Sequence, residues 1–151
     1  MAWRVSQGNC TTGSHQGLLR YAYDFEMPIG SPVTAIHAGT VVFVREDYRD
    51  GDSERWHSNL VQVLHPDGTY AVYEHLTYQG VLVEVGQWVR QGELLGWSGN
   101  TGYTLGLPHL HLDLAPCPFW GDCGTLPLSF RNTDPHPRGL EPGRIYPAYP
   151  Y

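Results

Sequence analysis

"NLVQVLHPDGTYAVYEHL", residues 59–76, reads as two β-rich runs joined by Pro66-Asp67-Gly68. Valine, tyrosine and leucine suit a pleated, half-buried surface, and Pro-Asp-Gly supplies a preset φ followed by a residue free to turn, so the stretch predicts an antiparallel hairpin. The chain on either side has the same texture. Upstream, "DYRDGDSERWHS" (47–58) is polar and aperiodic, a surface loop, and "SPVTAIHAGTVVFVRE" (31–46) reads as consecutive strands with a tight bend. Downstream, "VLVEVGQWVRQGELLGWSGNTG" (81–102) gives short apolar pieces broken by glycine, and "HLHLDL" (109–114) alternates strictly, as a strand does. After Ala115 the chain turns Pro-, Gly- and Tyr-rich, a tail expected to wrap the body. With no helical stripe and no long repeat, the fold class is all-β: a compact antiparallel sheet or sandwich.

A length of 151 residues suits one domain, read as 1–151 with a motif core at about 13–115 and a tail at 116–151. The chain has no lysine; its nine cations are arginines against fifteen acids, for a net charge of -6. That is a poor surface for nucleic acid or anionic lipid. No stretch reaches the ~18 apolar residues of a membrane span, and the first residues lack the features of a signal peptide. The expected state is a monomer. Cys117 and Cys123 flank a Pro/Gly-rich loop and are read as a disulfide, which favours an extracytoplasmic setting, periplasmic or secreted; the alternative is two free thiols. Cys10 is left over. Three cysteines without a C-x-x-C pair exclude a four-cysteine zinc site.

In "HLHLDL", side chains at i, i+2 and i+4 share a face, so His109, His111 and Asp113 point one way while Leu110, Leu112 and Leu114 point to a core. Two imidazoles ~6.6 Å apart along a strand can converge on one centre, and imidazole is a good zinc ligand. The bland alternative is a solvated strand face. His15 lies in a glycine-flanked loop. Asp24, in "YAYDF", sits among apolar neighbours and, if buried, needs a partner or a metal. His75 ends the hairpin's second strand, where a plain exposed histidine would be equally ordinary. His37, His57, His65 and His136 are read as surface or turn residues. Trp56, Tyr78 and Tyr103 fit a groove or a core equally well.

Four segments in order, "SH…YAYDF" with "MPIGSPVTAIHAGTVV", "YEHL", "VEVGQWVRQGELLGWSGNTG" and "PHLHLDL", resemble the lysostaphin/LytM-type zinc metallopeptidases. They span roughly residues 13–115. The resemblance implies a duplicated hybrid motif fold with a groove across the sheet, and one Zn2+ per chain held by His15, Asp24 and His111. It implies His75 and His109 as the catalytic pair and peptidoglycan stem or cross-link peptides as substrate. The usual spacing in that family is His-x3-Asp, whereas eight residues separate His15 from Asp24, which reads as a longer loop closing on the same metal. Pro108 stands where glycine or serine is usual.

On this reading the chain is a zinc-dependent endopeptidase. The alternative is a non-catalytic member of the same fold, a wall-binding or hydrolase-activating module. A biotinyl or lipoyl carrier needs a modifiable lysine, which is missing. A cupin-like oxygenase needs an acid placed further beyond HxH than Asp113. The chain also lacks HExxH and Gly-x-Ser-x-Gly.

Overall fold

The structure, a computed structural model, describes residues 1–119 and 121–150. Among the described residues there are eleven strands and one 3-10 turn at Gly17–Leu19. The strands are β1 (Ala2–Gln7), β2 (Tyr23–Glu26), β3 (Pro32–Thr34), β4 (Gly39–Arg45), β5 (Leu60–Leu64), β6 (Tyr70–Glu74), β7 (Leu76–Val81), β8 (Trp88–Val89), β9 (Leu94–Ser98), β10 (His109–Ala115) and β11 (Ile145–Pro147). An eight-stranded sheet runs β11-β1-β2-β10-β6-β5-β4-β8, and a second runs β3-β9-β7. Every pairing among the described residues is antiparallel.

The hairpin at 59–76 forms as β5 and β6, with Leu64 opposite Tyr70. Its turn closes when the Gly68 N–H donates to the His65 carbonyl at 3.0 Å and the His65 N–H to the Thr69 carbonyl at 2.8 Å. Gly68 takes φ 85°, which a side-chain-bearing residue resists. Asp67 Oδ1 accepts from the Thr69 N–H and hydroxyl at 2.9 and 2.7 Å. The inner face of the large sheet packs Val61, Val63, Ala71, Tyr73, Leu110 and Leu112 against Val33, Leu76 and Leu95 of the small one.

Strands β1, β2, β7 and β11 were not anticipated. β1 pairs with β2 on one side and with β11 on the other, so the Pro/Gly-rich tail returns to cover the sheet edge. β7 continues β6 past His75, carrying the chain from one sheet into the other. Cys117 and Cys123 are joined, with Cα atoms 6.0 Å apart. Cys10 is free and exposed; Trp120, in the same bridged loop, lies outside the described residues.

His65 corrects the surface reading: it is a turn residue, but only 5% exposed. Its ring lies 5.2 Å from that of His37. Burial lowers its pKa and His37 lowers it further, against a smaller opposing pull from Asp67. A depressed imidazole pKa means that the folded state binds its proton later than the unfolded chain does. The stability His65 confers is therefore present above the ordinary value of ~6.5 and lost as pH falls below it. The melting temperature of the native protein should drop more between pH 7 and pH 5 than that of His65→Gln. Equal drops in thermal scans would contradict this.

Candidate metal and catalytic centre

β10 lies between β2 and β6 with His111 opposite Asp24 on one side and Glu74 on the other, and with His109 opposite Glu26. Directly opposed residues share a face, so alternation sends His109, His111 and Asp113 away from the core, to the side where Asp24 and Glu74 stand. The 3-10 turn and the loop before it deliver His15 to the same place: His15 is 0% exposed, Asp24 3% and His111 7%. One ligand atom from each of these three falls within 4.8 Å of the other two.

Asp24 Oδ1 is the hub. His111 Nδ1 lies 2.9 Å from it, His15 Nε2 3.2 Å and His109 Nε2 3.8 Å. Burial pushes the Asp24 carboxyl up, but its contacts with His111 and His15 outweigh this and hold it below the usual carboxylate range. His111 has acceptors at both ends, Asp24 at Nδ1 and Asp113 Oδ2 at 3.3 Å from Nε2. A neutral imidazole carries one N–H, so one of these contacts requires a further proton or a cation. Burial alone would lower the His111 pKa; Asp113 and Asp24 override it and raise it well above the ordinary value.

The donor set fits a zinc ion: two imidazoles and one carboxylate, the three-ligand arrangement that leaves a further position open. His15 gives the sharpest test of fit. Despite its closeness to Asp24, neither of its buried ring nitrogens has a hydrogen-bond partner among the described residues. Such orphaned atoms are costly unless something else satisfies them. A second cluster, Glu74, His111 and Asp113, also has ligand-type spacing. It leaves His15 unexplained, whereas Asp113 is accounted for as the partner of His111 Nε2–H, a usual support for a metal-bound imidazole.

His75 and His109 stand beside this cluster with ring centroids 4.6 Å apart, and His75 is 6.1 Å from His111. His75 is buried, which excludes the exposed strand-end reading. It sits at φ 64°, a left-handed conformation uncommon outside glycine, at the break between β6 and β7. Its Nδ1 lies 2.7 Å from the Thr101 carbonyl and that of His109 2.7 Å from the Leu107 carbonyl. A carbonyl only accepts, so both Nδ1 atoms carry the hydrogen and both Nε2 atoms are left for other work. Burial lowers the His75 pKa to about 4; Glu74 opposes this, and His109 and His111 add to it. His75 is thus a neutral acceptor at neutral pH.

The groups that hold His75 are not legible in the sequence. Thr101 is fixed when its hydroxyl donates to the Leu76 carbonyl at 2.9 Å and accepts from the Asn59 N–H at 3.0 Å. Ser58 Oγ accepts the His75 N–H at 3.2 Å. Asp50 draws the 47–58 loop to the residues after β9, its Oδ1 accepting from the Asn100 N–H at 2.6 Å. Trp56 and Tyr103 are 76% and 58% exposed, so core packing does not explain them. Tyr78 is half-buried, with the Arg49 guanidinium over its ring at 4.5 Å.

With this geometry in view, the family model described as Peptidase family M23 matches residues 19–116. The chain belongs to that family. Over 115 residues it is 35% identical to lysostaphin of Staphylococcus simulans, a match spanning 76% of this chain and 22% of that protein. It is 37% identical over 116 residues to the peptidoglycan DD-endopeptidase ShyA of Vibrio cholerae, spanning 74% of this chain and 25% of ShyA. Among solved structures, lysostaphin superposes with a TM-score of 0.58 at 31% identity, covering 75% of this chain and 42% of that one. A zinc-containing peptidase from Vibrio cholerae does so with a TM-score of 0.56 at 29% identity, covering 74% and 33%. The chain spans about a quarter of the curated relatives it matches. The family match starts four residues beyond His15, so the place of His15 in the M23 site rests on its geometry.

Proposed function

We propose that this M23 peptidase is a zinc-dependent endopeptidase that hydrolyses peptide bonds in bacterial peptidoglycan stems or cross-links, working as a monomer outside the cytoplasm. The observation that carries this reading is the convergence of five side chains. His15, Asp24 and His111 form a ligand set in which both His15 nitrogens lack a hydrogen-bond partner, and His75 and His109 flank it with Nδ1 held by main-chain carbonyls. Peptidoglycan as substrate is supported by relatives such as ShyA, and the extracytoplasmic setting by the Cys117–Cys123 bridge. No helix among the described residues is long and apolar enough to cross a membrane.

His15, Asp24 and His111 would hold the ion. When bound there, zinc supplies Lewis acidity and lowers the pKa of water to about 7. The rest of the work falls to the chain. Asp113 keeps the His111 ring oriented through Nε2. His75 and His109, each pinned at Nδ1 by a carbonyl, present an unprotonated Nε2 as the proton-accepting atom. One Nε2 takes a proton from the attacking water; as imidazolium it returns that proton to the departing amine nitrogen. The neighbouring imidazole, once protonated at Nε2, would donate from that atom to the charge building on the carbonyl oxygen.

The test is digestion of purified peptidoglycan by the zinc-loaded protein, with products read by mass spectrometry. Cleavage should yield paired new amino and carboxyl termini, cease after chelation and return on adding zinc. Binding to the wall with no new termini would favour the non-catalytic, hydrolase-activating alternative.

A further inference from the structure

β1 carries a bulge. Val5 pairs with Phe25, yet the next registered pair is Gln7 with Asp24, so Ser6 is skipped. Without it Ser6 would stand opposite Asp24; with it Gln7, a longer side chain bearing an amide, takes that position. Bulges re-aim side chains and are common beside functional sites. Gln7 uses its whole amide here. The Ser14 N–H can only donate, and lies 2.9 Å from Gln7 Oε1. That fixes which end is nitrogen, and Nε2 donates to Asp24 Oδ2 at 2.8 Å and to Ser14 Oγ at 3.0 Å.

The consequence for Asp24 is a division of labour. Oδ2 is held by Gln7, while Oδ1 faces His15, His109 and His111. On its other side Gln7 clamps Ser14, the residue before His15. One side chain thus joins the carboxylate to the eight-residue detour that separates it from His15. It lies outside the segment matched by the family model.

We propose that Gln7 is a positioning residue for the metal centre, presenting Asp24 Oδ1 to the ion and anchoring the loop that delivers His15. This rests on the ligand set proposed above. Outer partners of metal ligands typically govern affinity by 10–100-fold.

Two independent substitutions test it. Gln7→Met keeps the length and removes the amide. Gly13→Ala leaves Gln7 in place but sets a Cβ against Gln7 Oε1, which the flexible side chain escapes only by giving up its hydrogen bonds. Ser6→Ala is the control. Zinc affinity is measured by chelator competition, and the visible spectrum of the cobalt-substituted protein reports ligand geometry. Both variants should bind zinc ~10–100-fold more weakly and shift the cobalt bands. Their metal-free melting should remain close to that of the native protein, and Ser6→Ala should match it throughout. Affinity within twofold of native and an unshifted spectrum in both variants would overturn the role of Gln7 while leaving the ligand set intact. A native protein that binds no zinc would overturn both.

Discussion

Replacing His111 with alanine should remove metal and activity together: zinc content falls from one ion per chain to near zero, and hydrolysis falls to background. His111 offers Nδ1 to the same point as Asp24 Oδ1 and His15, and its other nitrogen is committed to Asp113. Its removal leaves the ligand set with one carboxylate and one imidazole, too few for a catalytic zinc. Elemental analysis after dialysis, beside a cell-wall hydrolysis assay, reads both quantities on one sample. A variant that keeps its zinc would mean that the ion sits elsewhere.

His109→Ala and His75→Ala should behave in the opposite way, losing catalysis and keeping the ion. Positioned acid–base groups contribute ~10²–10⁴-fold, and that is the expected fall in kcat for each. Neither belongs to the His15, Asp24 and His111 group whose ligand atoms converge, so neither is needed to hold the cation. With rings 4.6 Å apart, the two serve one proton path, and the double variant should lose little more than the worse single one. Zinc lost from His109→Ala but retained in His111→Ala would invert the roles assigned along β10.

Much of this was legible because strands write their faces into sequence with a period of two. "HLHLDL" declared a leucine face and a histidine face, and both are found. The Pro-Asp-Gly hairpin was equally plain. What escaped was structure decided by partners distant in sequence. β1 has one fully buried side chain, Val5, and β11 is three residues long. Each is a strand because the other, or β2, supplies the hydrogen bonds.

The same contrast runs through the site. His111 and His109 could be read from alternation, and the burial of Asp24 from its apolar neighbours. His15 has no periodic context in its loop, and only the family resemblance singled it out. Gln7 could not be found, because its role depends on a bulge that moves it one place along β1. Thr101 acts through a main-chain carbonyl, which every residue has. His65 looked like a turn residue, and only the fold packs it against His37 and out of solvent.

The loop before the 3-10 turn, β2 and β10 are expected to hold one zinc between them. Diffraction from crystals of the zinc-loaded protein, collected on both sides of the zinc absorption edge, tests it most directly. A single anomalous peak is expected, bounded by His15, Asp24 and His111, with His75 and His109 beside it and not ligating. A peak among Glu74, His111 and Asp113, or one that excludes His15, would contradict it.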